Sequence, residues 1–189
     1  MTTEIINNIS GKEFYEIVLG EDSTINSEER LEEQFGNLYK HLTNNIWCAK
    51  TKYKGSRSAN DGLFKIELES GEEIYVLQEC KLSNKDYKKA ICQVCVYYNM
   101  EPNEIKSKIK YFVIITPNSY DIIPIETLKP QLDKIAVVMD NISITPSKAY
   151  ENSIIFNLIF FEADYDGSAK HFDWTTMEDM GEIIKTLMA

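Results

Sequence analysis

The pattern of apolar and polar positions predicts two strands near the middle of the chain. Residues 63–68 (LFKIEL) alternate between apolar and charged side chains, and residues 74–77 (IYVL) form an apolar run that follows a Ser-Gly pair. The first pattern is typical of a half-buried strand and the second of a β-prone strand, so together they predict an antiparallel hairpin. Residues 111–116 (YFVIIT) and 120–125 (YDIIPI) predict two further strands, the first of them buried and central.

Helical periodicity flanks these strands. Leu31, Phe35, Leu38 and Leu42 step by four, three and four residues, which predicts one apolar face of a helix over 27–42. Further helices are predicted over 86–99, 103–110, 126–139 and from Thr175 to Met188, and further strands over 46–53 and 153–161. This order predicts an α/β protein in which a mixed β-sheet is flanked by α-helices.

The length of 189 residues predicts a single domain, with residues 1–26 as an N-terminal extension packed on a core formed by residues 27–189. An apolar content of 43% and a charged content of 26% are ordinary for a soluble globular protein. No apolar run reaches the roughly 18 residues of a membrane helix, and the first residues, MTTE, do not resemble a secretory leader. Four cysteines in a chain of this size indicate a reducing compartment rather than a disulfide framework, so we expect a cytoplasmic protein without membrane contact.

Charge is unevenly distributed along the chain. The formal net charge of −10 disfavours a protein that coats nucleic acid non-specifically. Residues 50–110 nevertheless hold 12 basic and 9 acidic side chains, a net charge of +3, whereas the remainder holds 8 basic and 21 acidic side chains, a net charge of −13. The basic half also carries the candidate catalytic residues.

A carboxylate and an ammonium group end the second strand of the predicted hairpin. Glu79 and Lys81 are two residues apart, so on a strand they share a face, while Cys80 points to the opposite face. Charged groups at the end of an apolar strand are costly to desolvate unless they are paired or bind a ligand. A second acid, Asp61, lies at the start of the other strand of the hairpin. Two acids that share a divalent cation beside a lysine form a hydrolytic site for phosphodiesters; the alternative is a structural salt bridge.

These residues resemble the PD-(D/E)xK nuclease superfamily, which has a restriction-endonuclease-like fold. The superfamily pattern is an acid before or on one strand and an acid-x-lysine motif on the next, matched here by Asp61 and by Glu79-Cys80-Lys81. One branch adds a Gln-x-x-x-Tyr motif on the following helix, matched by Gln93 and Tyr97.

The resemblance covers roughly residues 27–125, and it departs from the pattern at Asn60, where the name-giving proline would stand. It implies a metal-dependent nuclease that uses Mg²⁺ or Mn²⁺. Asp61, Glu79 and the backbone carbonyl of Cys80 would be metal ligands, and Lys81 would orient the attacking water or stabilise developing charge.

The resemblance also implies roles for residues on two helices. Gln93 would hydrogen-bond the site lysine or the water, and Tyr97 would hold a phosphate; a core aromatic residue is the alternative for Tyr97. An acid of the first helix often reaches the metal in this superfamily. Glu32 is our first choice and Glu28 our second, because both flank the apolar face; solvated helix acids are the alternative.

The expected partner is a nucleic acid, with DNA favoured over RNA. Small stand-alone members of the superfamily are often restriction-type endonucleases or nucleases of phages or mobile elements. A second hypothesis is a non-catalytic module of the same fold that binds nucleic acid or a protein, and the acidic terminal regions favour a protein partner or a homodimer. A third is a metal-free scaffold in which the charged residues only pair with each other.

Two other sets of potential metal ligands are interpreted as structural. Cys92 and Cys95 have the spacing of a metal or redox motif, but only Cys48 and Cys80 remain as further thiols, so we predict buried small residues on a helix. The two histidines, among them His171, stand apart from other ligand types in the sequence, so we do not expect a histidine-based metal site.

Overall fold

The computed structural model describes residues 10–13, 27–32, 47–49, 60–68, 70–141, 168–173, 176–179 and 181–189. Within these ranges the strands are β1 (Trp47–Ala49), β2 (Gly62–Glu67), β3 (Glu73–Cys80), β4 (Ile109–Ile115), β5 (Ser119–Pro124) and β6 (Lys170–Asp173). The helices are α1 (Tyr87–Met100), α2 (Asn103–Lys106), α3 (Lys129–Asn141) and α4 (Gly181–Met188), with 3₁₀ turns at Asn84–Asp86 and Ile125–Leu128. Residues 28–32 are also helical.

The six strands form one sheet in the order β1-β2-β3-β4-β5-β6. β2 and β3 form the predicted antiparallel hairpin, whereas β3 and β4 are parallel and are connected through α1. The remaining pairs of neighbours are antiparallel. The prediction of an α/β protein with a mixed sheet and helices is therefore confirmed.

Two apolar clusters lie on the two faces of the sheet. On one face, α1 and α3 cover side chains that include Leu77 and Ile114. On the other face, Leu31 from the helical residues 28–32 and Leu187 from α4 pack in the cluster that contains Val76. Successive residues of β3 thus enter opposite clusters, as expected for a strand buried on both sides.

The predicted boundaries are accurate to within a few residues for the central elements. β4 begins at Ile109, two residues before the predicted start, because its pairing with Tyr75 begins there. The helix predicted over 103–110 is shorter for the same reason and ends at Lys106. The helix predicted over 126–139 follows a 3₁₀ turn and occupies Lys129–Asn141.

Two elements near the C-terminus differ from the predictions. Strand β6 was not predicted, although it pairs with β5 over four residues. The last helix begins at Gly181 rather than at Thr175, because the Asp179 side chain accepts a hydrogen bond from the backbone N–H of Gly181 at 2.8 Å. Thr175 itself, the strand predicted over 153–161, and most of the strand predicted over 46–53 lie outside the described residues.

Of the predicted N-terminal extension, the structure describes residues 10–13, where the backbone N–H of Gly11 donates to the carbonyl of Met177 at 2.8 Å. The division of the chain at residue 26 stays a prediction. None of the described helices combines the length and the apolar character that crossing a bilayer requires.

Gly62, the first residue of β2, is required by the packing of its own strand. A Cβ atom at this position would lie 2.6 Å from Cε2 and 2.8 Å from Cζ of Phe64, whose ring is fully buried. We expect Gly62→Ala to reduce the free energy of unfolding by about 1–3 kcal/mol, because the ring must shift within a packed core. Urea denaturation measures this change.

Gly71→Ala provides the comparison. Gly71 has a φ of +81°, and a Cβ atom added there would meet nothing within 4 Å, so the cost is that of the left-handed backbone, about 1 kcal/mol. If Gly62→Ala is as stable as the wild-type protein, the close approach of the Phe64 ring is not what requires glycine at this position.

Candidate active site

Asp61 and Glu79 lie at the same edge of the sheet because of the hairpin register. Gly62 pairs with Gln78 across β2 and β3, which places Asp61 beside Glu79 where β3 ends. The Asp61 carboxylate accepts a hydrogen bond from the backbone N–H of Cys80, with 2.7 Å between Oδ2 and N. One predicted acid is therefore held by the segment of backbone that carries the other.

Glu79 and Lys81 form a buried, hydrogen-bonded pair. The Lys81 Nζ donates to Oε1 of Glu79 at 2.7 Å, and the two residues are 2% and 5% exposed. The backbone N–H of Lys81 donates to the carbonyl of Ile115 at 2.9 Å, which continues the parallel pairing beyond the end of β3. The two side chains share a face of the sheet, as their spacing predicts.

Glu28 is the helix acid that reaches this pair. Its Oε2 lies 3.7 Å from Nζ of Lys81, although the Glu28 side chain remains exposed to solvent. Glu32, the first choice from the sequence, lies one helical turn further along and is half-buried. The Lys81 contact therefore places Glu28 in the charged cluster.

The Glu79 carboxyl is strongly perturbed by this environment. Burial raises the pKa of Glu79 to about 8, repulsion from Asp61 and Glu28 adds to the rise, and attraction to Lys81 opposes it. The carboxyl therefore holds its proton at pH values where an exposed glutamate is ionised.

Lys81 responds to the same charges in the opposite sense. Burial on its own would lower the pKa of Lys81, but the carboxylates of Glu79, Asp61 and Glu28 outweigh burial and raise it. Three carboxyl groups surrounding one ammonium group leave an excess of negative charge when all are ionised. A bound cation would relieve that excess.

Several buried side-chain oxygen atoms accept no hydrogen bond from the part of the chain that the structure describes, and two of them belong to predicted site residues. These two are Oε2 of Glu79 and Oε1 of Gln93. Buried acceptors of this kind are expected to bind water or a cation. Within the described residues, the acid, histidine and cysteine side chains do not form a ready-made cluster of three metal ligands.

Gln93 and Tyr97 lie on α1, which covers the face of the sheet to which Glu79 points. Both are buried, and Tyr97 belongs to the apolar cluster beneath α1. Neither takes part in the hydrogen bonds that join Asp61, Cys80, Glu79 and Lys81.

The thiols lie away from these charges. The Cys80 side chain points to the opposite face, where its Sγ accepts from Nε2 of Gln78 at 3.5 Å, so the predicted contribution of Cys80 concerns its backbone carbonyl only. Cys92 and Cys95 are free and buried, as predicted. Burial raises the pKa of Cys92 to about 12 and that of Cys95 well above its ordinary value.

A buried polar contact behind Asp61 was not predicted. Nδ2 of Asn60 donates to Oε1 of Glu101 at 3.4 Å, and both residues are almost fully buried. Glu101 follows Gln93 and Tyr97 by eight and four residues, so it continues their face by one turn at the end of α1. The four-residue spacing was visible in the sequence, but the contact with Asn60 spans 41 positions.

A second unpredicted network lies two strands from Glu79 in the same row of the sheet. Glu79 pairs with Ile114, Ile114 with Asp121, and Asp121 with His171. The buried Asp121 carboxylate contacts Nδ1 of His171 at 2.5 Å and accepts from Oγ of Ser119 at 3.2 Å. Burial raises the pKa of Asp121, while His171 and Ser119 oppose the rise. The sequence context of His171 suggested an isolated side chain. The structure instead places it in contact with Asp121.

Comparisons with known proteins identify no relatives. No family model, no curated protein and no solved structure matches this chain.

The raised pKa of Glu79 predicts a pH-dependent stability. Between its ordinary pKa of 4.5 and about 8, the folded state keeps a proton that the unfolded state releases, so this group makes folding less favourable as the pH rises. We expect the stability of Glu79→Gln relative to the wild-type protein to increase from about pH 5 to about pH 8.5. Thermal denaturation over this range measures the difference.

Glu73→Gln on the same strand is the control. Hydrogen bonds from Lys65 and Lys108 lower the pKa of Glu73 below 4.5, so this carboxyl is ionised in both the folded and the unfolded state from about pH 5 to about pH 8.5, and its removal should change stability by an amount that does not vary with pH over this range. A difference between Glu79→Gln and the wild-type protein that stays constant with pH would show that Glu79 ionises as an ordinary carboxyl group.

Proposed function

We propose that this chain is a metal-dependent nuclease of the PD-(D/E)xK type that hydrolyses phosphodiester bonds, with DNA as the favoured substrate. The observation that carries the proposal is the convergence of Asp61, Glu79 and Lys81 at one edge of the sheet. Asp61 is held by the backbone of Cys80 at 2.7 Å, and Lys81 is bonded to Glu79 at 2.7 Å. These are the residues that the sequence motif names.

Asp61 and Glu79 are the proposed side-chain ligands of Mg²⁺ or Mn²⁺. The buried Oε2 of Glu79 is an acceptor that a cation would satisfy, and a cation would oppose the rise in the pKa of this carboxyl that burial and, second to it, repulsion from Asp61 cause. Mg²⁺ is often held by only one or two carboxylates together with water and phosphate oxygens, so a cage of three protein ligands is not required.

When bound, the metal supplies polarisation of the phosphate and acidification of a water molecule. The side chains of the protein would position the water and the phosphate. Lys81, held at the end of β3 by its backbone hydrogen bond to Ile115, is placed to orient the water or stabilise charge that develops on the phosphate. Gln93 presents a buried carbonyl oxygen, which fits the role of a hydrogen-bond acceptor for that water or for Lys81.

The topology supports the proposal. A hairpin followed by a helical crossover to a parallel strand brings the start of β2 and the end of β3 to one edge, where the superfamily pattern requires its acids. The restriction-endonuclease-like arrangement of the sheet, like cytoplasmic location and a homodimer or protein partner, is a proposal from the sequence.

A metal-free scaffold is the second candidate, and one observation favours it. Lys81 already has two acidic neighbours, at 2.7 Å in Glu79 and 3.7 Å in Glu28, so the cluster is partly neutralised without a metal. In that case the charged residues would only pair with each other, and the protein would not hydrolyse phosphodiesters. Cleavage assays separate the two candidates.

We expect the wild-type protein to cleave plasmid or single-stranded DNA in the presence of Mg²⁺ or Mn²⁺ and not in the presence of EDTA. Lys81→Ala and Asp61→Ala are each expected to reduce the rate by about 100-fold or more, because each removes a group that stabilises the transition state. Gel electrophoresis of time courses measures the rates, and RNA of the same sequence tests the preference for DNA.

Lys110→Ala is the matched control, since Lys110 is an exposed lysine on the neighbouring strand β4. Its rate should equal that of the wild-type protein. Equal rates in Lys81→Ala and Lys110→Ala would reject the assigned site, and a protein that binds Mn²⁺ but cleaves no substrate would favour the non-catalytic alternative.

The two candidate helix acids can be separated by metal binding alone. Glu28 lies in the charged cluster, so we expect Glu28→Gln to weaken Mn²⁺ binding by about tenfold, as removal of an outer ligand does. Glu32→Gln is expected to change it less than about twofold. Isothermal titration calorimetry without nucleic acid measures both, and the reverse order of effects would assign the role to Glu32.

A further inference from the structure

An exposed leucine stands directly beside the proposed site. Large hydrophobic side chains that remain exposed are few in the described part of the chain, namely Leu82 at 40% and Val137 at 59%. Leu82 follows Lys81 immediately, at the edge of the sheet where Asp61 and Glu79 meet. Because of this position, a ligand that binds at Lys81 could also contact Leu82.

Basic side chains follow this leucine closely in the sequence. The 82–89 segment contains Lys85, Lys88, Lys89 and one acid, Asp86, a net charge of +2 in a chain whose net charge is −10. Lys85 and Lys88 are exposed, and Lys89 is half-buried. The segment therefore combines an apolar contact with a net positive charge of its own, which complements a polyanion that also has apolar faces.

The 82–89 segment has a fixed backbone shape. Ser83 begins the 3₁₀ turn Asn84–Asp86: its Oγ accepts from the backbone N–H of Lys85 at 3.2 Å, and its carbonyl accepts from the N–H of Asp86 at 3.0 Å. The turn leads directly into α1 at Tyr87. The lysines are thus presented from ordered backbone next to Lys81.

We propose that the 82–89 segment is the surface that binds the nucleic-acid strand, with Leu82 against a base next to the scissile phosphate and the lysines against flanking phosphates. This inference rests on the proposed function and adds to it the way in which the substrate is held. A base face is accessible to Leu82 only when the base is unstacked, so the contact favours an unpaired strand over a duplex.

The two kinds of contact differ in their dependence on salt. Each lysine that neutralises a phosphate releases counterions and contributes about 0.7 to the slope of log K against log salt for a single strand. An apolar contact releases none. Leu82 and Lys85 can therefore be distinguished in one titration series.

Binding is measured by fluorescence anisotropy with a labelled thymidine oligonucleotide of about 12 nucleotides, in EDTA so that no hydrolysis occurs. We expect Leu82→Ala to weaken binding about fivefold with the same salt slope as the wild-type protein. Lys85→Ala should lower the slope by about 0.7. A duplex of the same length should be bound more weakly by the wild-type protein and should be insensitive to Leu82→Ala.

Matched controls come from α3. Val137→Ala removes the other large aliphatic side chain that is exposed among the described residues, and Lys134→Ala removes an exposed lysine; both variants should bind as the wild-type protein does. Because Leu82 is exposed, its replacement should leave the thermal midpoint unchanged. The proposal is overturned if Leu82→Ala and Val137→Ala bind equally, or if the wild-type protein does not bind the oligonucleotide.

The failure of this inference and the failure of the proposed function give different results. Binding that depends on Leu82, without cleavage in any divalent metal, rejects the nuclease and supports the surface. Cleavage of DNA by a protein whose Leu82→Ala and Val137→Ala variants have equal affinities rejects the surface and leaves the nuclease in place.

Discussion

A carboxyl group and an ammonium group held out of water organise the end of this sheet. Removing Glu79 and Lys81 from solvent is unfavourable unless each is paired, and the strand solves this by placing them two residues apart on one face. The neighbouring Asp61 is satisfied by a backbone N–H rather than by a mobile side chain. Apolar residues of similar volume would serve stability as well as a buried charged pair does, so stability alone does not require these charges.

The parts of this site that could be predicted from the sequence are those set by local periodicity. The two-residue repeat of β3 placed Glu79 and Lys81 together, and the turn before it placed Asp61 opposite them. What could not be predicted depends on distant pairing: Asp121 meets His171 across 50 positions, and β6 exists only through its pairing with β5. No local pattern specifies such contacts, because they are fixed by the packing of the whole sheet.

The two faces of β3 separate two kinds of chemistry. Glu79 and Lys81 point towards α1, while Cys80 between them points into the apolar cluster on the other face. Burial keeps the pKa of the Cys80 thiol well above its ordinary value, so this sulfur stays protonated and unreactive although it is bonded into the same segment. Alternation along one strand thus keeps an oxidisable group apart from a charged site that adjoins it in sequence.

The contrast between an acidic chain and one short basic segment has a kinetic consequence. If residues 82–89 bind a negatively charged polymer as proposed, the net charge of −10 on the whole chain would repel that polymer from the rest of the surface while this segment attracts it. Collisions with such a polymer would then be pre-oriented towards the segment. The negative net charge of the chain would then shorten encounters away from this segment. Salt screens this repulsion, so the effect decreases as ionic strength rises.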